Sequence, residues 1–139
     1  MYDISIIIPC WKRPQRTRRI INQVLNQNIN NWEAFIIGDG CSDYQEMIDS
    51  GEANIWVKQA EDNGNKLHMF NMDKNYGGCG YKILDYALEN INSKYVVFAG
   101  NDDYIKEDHF KYYLSEINNT ELDIVVYPTY VKPYNQIRY

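Results

Sequence analysis

Residues 96–103 of this chain read Val-Val-Phe-Ala-Gly-Asn-Asp-Asp, an apolar run that stops on two adjacent carboxylates, Asp102 and Asp103. Neighbouring carboxylates repel, so a fold that sets them together at the end of a buried strand needs a counter-charge. A hard divalent cation supplies one. Mg2+ or Mn2+ takes oxygen ligands, typically one or two protein carboxylates with phosphate oxygens completing the shell. Such an ion bridges protein to a diphosphate and stabilises charge on a leaving group. The plainer reading has Asp102 capping a following helix and Asp103 solvated. The pair alone does not separate the two.

Other segments carry matching chemistry. In Ile36-Ile37-Gly38-Asp39-Gly40-Cys41-Ser42-Asp43, Asp39 sits where an apolar run ends, and its carboxylate can accept from a ribose hydroxyl or a base imide. Ser42 and Asp43 read as a cap for a short following helix. Asn75-Tyr76-Gly77-Gly78-Cys79-Gly80 is a glycine-rich approach to a helix, whose free amides suit a phosphate or a nucleotide edge. It lacks the G-x-G-x-x-G spacing after a first strand, which disfavours a dinucleotide fold. Lys12, Arg13, Arg16, Arg18 and Arg19 form one basic cluster, either the solvated first turn of a helix or an anion-attracting patch beside a site. Cys10, Cys41 and Cys79 each follow a different strand. As zinc ligands they want a fourth group that neither His68 nor His109 is placed to give, so they read as small buried hydrophobes. His109 reads as a partly exposed helical residue near the cleft.

These residues need strands to end beside one another. Ile4 to Pro9 is a short, nearly continuous apolar run, as for a strand buried on both faces. Pro14 suits a first helical turn, and Ile20, Ile21, Val24 and Leu25 repeat at helical spacing, predicting a helix over 15–27. Ala34 to Ile37 is a second strand and Tyr44 to Ser50 a short helix. Ile55 to Lys58 reads as a minor strand, Glu61 to Lys66 as a turn, and Leu67 to Met72 as a third main strand. Tyr81, Leu84, Leu88 and Ile91 mark another helix, Tyr95 to Ala99 a strand, and Phe110, Tyr113, Leu114 and Ile117 a last helix. Leu122 to Tyr127 is a closing strand, stopped by Pro128. Strands alternating with helices predict an α/β fold with a doubly wound, mostly parallel sheet and helices on both faces. Right-handed crossovers bring the loops at Trp11, Asp39, Gly77 and Asp102 to one edge, where such sheets bind ligands.

Composition narrows the classes. With 139 residues, 45% of them apolar, the chain fits one globular domain, expected over 1–131 with a polar tail over 132–139. A net charge of −5 disfavours a nucleic-acid partner. Ile6-Ile7-Ile8 is too short for a leader or membrane span. Three widely spaced cysteines make no disulfide framework, so a reduced, cytoplasmic setting is expected.

The ordered set of motifs resembles family 2 glycosyltransferases of the GT-A fold, in their N-terminal nucleotide-sugar-binding portion. Ile6-Ile7-Ile8-Pro9-Cys10-Trp11-Lys12-Arg13 is similar to the family's first strand; Gly38-Asp39-Gly40-Cys41-Ser42-Asp43 to its Asp-Asp-Gly-Ser-x-Asp loop; Asn75-Tyr76-Gly77-Gly78 to its Asn-x-Gly loop; and Gly100-Asn101-Asp102-Asp103 to its acidic metal motif. The resemblance implies a Rossmann-like transferase binding a nucleotide-diphospho-sugar, UDP-sugars favoured, with Mg2+ or Mn2+. Transfer would go to a hydroxyl acceptor with inversion. Pro9, Trp11, Arg13, Asn75 and Gly77 would shape the donor pocket and Asp39 would bind the base. Asp102 would lie by the ribose and diphosphate, sharing the metal with Asp103. Lys82 stands where the family has an arginine, without its bidentate fork.

Two departures qualify the resemblance. Gly38 replaces the first aspartate of the second loop, and Gly100 replaces the first aspartate of the acidic motif, which removes one metal ligand. The catalytic base is expected in a later acceptor-binding half, outside this chain. A non-catalytic nucleotide-sugar-binding module is the alternative. A sugar nucleotidyltransferase ranks last, because Trp11-Lys12-Arg13-Pro14 lacks the glycines of a triphosphate loop.

Overall fold

The computed structural model describes residues 1–119, 129–131 and 136–138. Strand β1 (Tyr2–Cys10) leads into helix α1 (Pro14–Leu25), then β2 (Trp32–Gly38), α2 (Ser42–Asp49), α3 (Glu52–Asp62) and β3 (Lys66–His68). A single 3-10 turn (Gly78–Gly80) precedes α4 (Tyr81–Asn90), followed by β4 (Ser93–Phe98) and α5 (His109–Asn118). Four strands form one sheet in the order β3-β2-β1-β4, parallel throughout. This is the doubly wound α/β sheet that the alternation of elements predicts.

The apolar runs place β1 and β2 in the middle, where both faces are covered. Alternation then sorts the side chains. Ile4, Ile6, Ile8 and Cys10 of β1 pack with Ile20, Ile21 and Val24 of α1, Ala60 of α3 and Phe110 of α5. On the opposite face Ile7 packs with Phe35 and Ile37 of β2 and Ile83 and Ala87 of α4. Tyr44 of α2 is buried in the first of these cores, and its hydroxyl donates to the Ile36 carbonyl. The N-terminal ends of the strands are fastened by a buried polar network. Ser5 Oγ donates to Glu33 Oε1 at 2.6 Å, and the Asn92 amide reaches the same oxygen at 2.6 Å. His68 stacks on Phe35, ring centroids 4.1 Å apart, with Nε2 3.7 Å from Glu33.

Four local expectations are corrected. Residues 55–58 are not a strand but lie within α3. Ala53, Trp56, Val57 and Ala60 turn a helical stripe to the core, while Ile55 is exposed. Three apolar residues in a row are too few to distinguish the two periods. The third main strand is shorter than residues 67–72. After His68 the chain pairs again only at a bridge between Gly38 and Asn71, where the Asn71 side chain also bonds the backbone of Cys41. Asp102 caps no helix, since α5 begins at His109 with Asp108 at its N-cap. Likewise Cys41, not Ser42 or Asp43, holds the N-cap of α2. Residues 122–127, read as a closing strand, lie outside the described residues. Strands β5 (Thr129–Val131) and β6 (Gln136–Arg138) pair antiparallel, across the domain boundary expected at 131.

Two stability predictions follow from this packing. Truncating the fully buried Ile8 to alanine should cost about 2–5 kcal/mol, read from urea unfolding midpoints. Burial, then Lys66, pushes the His68 imidazole below its ordinary value of 6.5, against the pull of Glu33; burial and Lys106 do the same to His109. Both are held neutral in the fold and protonate more readily when unfolded, so their contribution is full above pH 6.5 and lost as pH falls through the folded values. Melting temperature should therefore drop on going from about pH 8 to about pH 5, with a shallower slope in His68→Gln.

Candidate functional site

The carboxyl ends of β1, β2 and β4 and the loop before α4 surround a groove of about 870 Å³. Its walls include Pro9, Trp11 and Arg13 from the first loop, Asp39 from the second, Asn75 and Gly77 from the third, and Asp102 and Asp103 from the fourth. Eight of the nine residues expected at a donor site thus meet in one place. Lys82 stands apart. It lies on α4, its ammonium 3.8 Å from Asp85 and over the Tyr81 ring, and it is not among the residues lining the groove.

Asp39 is the buried member. Its amide donates to the Cys10 carbonyl at 2.8 Å, which locks the end of β2 to the end of β1. Its carboxylate accepts from Asn75 Nδ2 at 2.8 Å, the Tyr76 amide at 3.0 Å and the Gly77 amide at 3.2 Å. The glycine-rich loop is therefore wrapped around a fixed negative charge. Three donors leave about one of a carboxylate's roughly four acceptor positions for another group. Gly40, at φ +64°, lets this happen: a Cβ there would lie 2.1 Å from the Lys74 carbonyl carbon.

The acidic loop is held differently. Asn101 is buried, and its Nδ2 donates to the Lys12 carbonyl at 3.2 Å and to Thr17 Oγ1 at 3.1 Å. Asp103 folds back so that Oδ2 accepts from the Gly100 amide at 2.7 Å. Asp102 Oδ2 accepts from Arg13 Nη1, with Arg16 Nη1 3.7 Å away. Arg19 Nη2 donates to the carbonyls of Asp102, at 3.2 Å, and Asp103, at 2.9 Å. The basic cluster is thus divided by helical geometry. Arg16 and Arg19, three apart on α1, face the acidic loop, and Arg13 reaches it from the N-cap position. Arg18 points elsewhere and forks onto Glu52 of α3 at 2.7 and 2.8 Å. Lys12 lies over the Trp11 ring, 5.3 Å from its centroid. Lys12 and Arg13 both adopt left-handed backbone, φ 53° and 57°, a conformation that costs a non-glycine residue about 1–2 kcal/mol.

The donor set suits a hard divalent ion. A Cβ built on Gly100 would stand 3.0 Å from Asp102 Oδ1 and 3.4 Å from Asp103 Oδ2. The two carboxylates therefore converge over the space that an aspartate side chain there would enter. Two carboxylates meet the protein's share of a Mg2+ or Mn2+ shell when phosphate and water provide the rest. No group of three His, Cys, Asp or Glu side chains that could hold a metal by themselves occurs among the described residues. Zinc at the cysteines fails on this count. Cys10 and Cys41 are buried, and burial raises the Cys10 thiol far from ionisation. His109 bonds to the Tyr113 hydroxyl at 2.6 Å and lines a neighbouring groove beside α1.

Asn101, Arg16, Arg19 and Asn71 were not singled out individually as site residues from the sequence. The spacing of three along Arg13, Arg16 and Arg19 was the available signal for the arginines. Nothing local marks Asn101 or Asn71, whose partners lie 84 and 30 residues away.

Comparison with known proteins bears on the family and the fold. The family model described as Glycosyl transferase family 2 matches residues 5–139. The putative colanic acid biosynthesis glycosyl transferase WcaA of Escherichia coli K12 is 29% identical over 100 residues, covering 72% of this chain and 32% of that protein. Staphylococcus aureus TarS 1–349, solved in complex with UDP-GlcNAc, superposes with a TM-score of 0.67 at 21% identity, over 84% of this chain and 31% of TarS. The mannosyltransferase PcManGT of Pyrobaculum calidifontis, solved with GDP-Man and Mn2+, gives a TM-score of 0.57 at 16% identity, over 73% and 28% of the two chains. This chain spans about a third of the length of each. With its fold, its four motif loops and a family match over nearly all of its length, the chain belongs to glycosyl transferase family 2.

Proposed function

We propose that these residues form the donor-binding portion of an inverting glycosyltransferase that takes a nucleotide-diphospho-sugar together with Mg2+ or Mn2+. One observation carries the reading: Asp39 and the Asp102–Asp103 pair, from separate loops, line a single groove. The remaining acceptor capacity of Asp39 would take a base imide, and the half-exposed Trp11 ring offers the base an apolar face. Asp103 and Asp102 would hold the cation, which when bound supplies Lewis-acid stabilisation of the diphosphate leaving group. Arg19 keeps the loop in place through its carbonyls, and Arg13 and Arg16 add positive potential where phosphates would lie. The UDP-GlcNAc complex of TarS supports a UDP-sugar; the GDP-Man and Mn2+ complex of PcManGT keeps GDP-sugars in the test and supports the metal. Lys82 is left out of the donor set because it does not line the groove.

Attack by a hydroxyl acceptor needs a base to take its proton. We place that base in an acceptor-binding portion outside residues 1–139, in keeping with the greater length of the relatives. A cytoplasmic setting belongs to the same proposal; among the described residues no helix is long and apolar enough to cross a membrane. The alternative, a module that binds nucleotide-sugar without turnover, draws on Gly100, which leaves the cation two carboxylates rather than three.

Calorimetry with UDP or GDP in the presence of Mn2+ tests the donor reading. The wild-type chain should bind one of them, and Asp103→Ala should remove most of the gain that Mn2+ confers. Asp39→Asn should weaken the nucleotide about tenfold or more, the worth of a charge-assisted hydrogen bond in a buried site. If neither nucleotide binds, or Asp103→Ala behaves as wild type, the assignment is wrong. Slow hydrolysis of the sugar donor by this chain would count against the binding-module alternative.

A further inference from the structure

We propose that Arg13 acts as an internal counter-ion on Asp102, one that the divalent cation must displace, and that the released guanidinium then binds the donor's diphosphate. The proposal rests on the donor-site reading above and adds an order to it: cation and nucleotide enter together because each supplies what the other disturbs.

Arg13 and Asp102 join two walls of the groove, each side chain about half exposed. The acidic loop does not need this contact to stay in place. Asn101 ties it to Lys12 and Thr17 from within, and Arg19 holds the carbonyls of Asp102 and Asp103. Two successive left-handed residues, Lys12 and Arg13, turn the arginine back toward the groove ahead of α1. Sequence economy would not place a strained, non-glycine pair there for a surface ion pair, which is worth little by itself.

The geometry sets up a competition. The oxygens that converge beside Gly100 are Asp102 Oδ1 and Asp103 Oδ2, so a cation there would share the Asp102 carboxylate whose Oδ2 pairs with Arg13, drawing on its charge and repelling the guanidinium. Mn2+ alone therefore loosens the pair and leaves Arg13 with a weakened anion. When a diphosphate arrives with the ion, the planar fork of Arg13 gains phosphate oxygens that it matches well. Cation and nucleotide are thus positively linked, and Arg13 is the residue that links them.

The test is the affinity for Mn2+ with no nucleotide present, followed by the electron paramagnetic resonance signal of the free ion. Arg13→Gln should bind Mn2+ about fivefold or more tighter than wild type, and should lose most of the mutual enhancement between Mn2+ and UDP or GDP. Arg18→Gln removes the same charge from α1, five residues further on, but touches Glu52; it should stay within about twofold of wild type. Arg13→Met removes the charge while keeping an unbranched side chain and should tighten Mn2+ binding in the same direction, which provides a second variant should Arg13→Gln fail to fold by circular dichroism. Unchanged or weaker Mn2+ binding in the Arg13 variants overturns the proposal, as does an equal rise in Arg18→Gln, which would reveal only a general charge effect. Failure of wild type to bind UDP or GDP with Mn2+ overturns the donor-site reading and this proposal together; nucleotide binding with unlinked Mn2+ overturns this proposal alone.

Discussion

A buried carboxylate at the end of β2 organises the groove from which every other assignment is read. Asp39 has left water, and a carboxylate in that position is tolerated only when hydrogen bonds replace its hydration. Asn75, Tyr76 and Gly77 provide them. The result is reciprocal: the glycine-rich loop satisfies the aspartate's oxygens, and the aspartate fixes a loop that has little side-chain packing of its own. Because the Asp39 amide also bonds to the Cys10 carbonyl, three of the four motif loops share this one junction. The fourth loop reaches the same groove through Asn101, whose bonds to Lys12 and Thr17 run to the segment just beyond Cys10.

The architecture was legible because it depends on patterns a linear reading can see. Ile4 to Pro9 and Ala34 to Ile37 are apolar on both faces, so they had to be interior parallel strands, and parallel strands place their following loops on one edge. That step alone brings Trp11, Asp39 and Asp102 together. What escaped the reading depends on tertiary partners. Ile55-Trp56-Val57 looks like a strand fragment until Ala53 and Ala60 are seen to lie against the core with Trp56 and Val57 at helical intervals. Asn71 continues an apolar run in sequence, yet its side chain imitates a peptide group for Cys41. The assignment of Lys82 came from motif position, and motif position does not say which way a helix turns its side chains.

Electrostatics explains how such a chain tolerates its own site. The net charge is −5, and two of the acidic groups stand side by side at a strand end, an arrangement that ought to drive the loop open. Three arginines, Arg13 at the N-cap of α1 and Arg16 and Arg19 one turn apart within it, answer that repulsion. Arg13 and Arg16 lie on the Asp102 carboxylate, while Arg19 binds the backbone carbonyls instead. The division matters. Contacts to carbonyls hold the loop's position whatever happens to the carboxylates, whereas contacts to a carboxylate hold its charge. A loop positioned by its backbone can exchange the partner of its side chain without unfolding. The sequence therefore separates the task of keeping the acidic motif in place from the task of keeping it neutral, and under the proposed cation binding only the second would be surrendered.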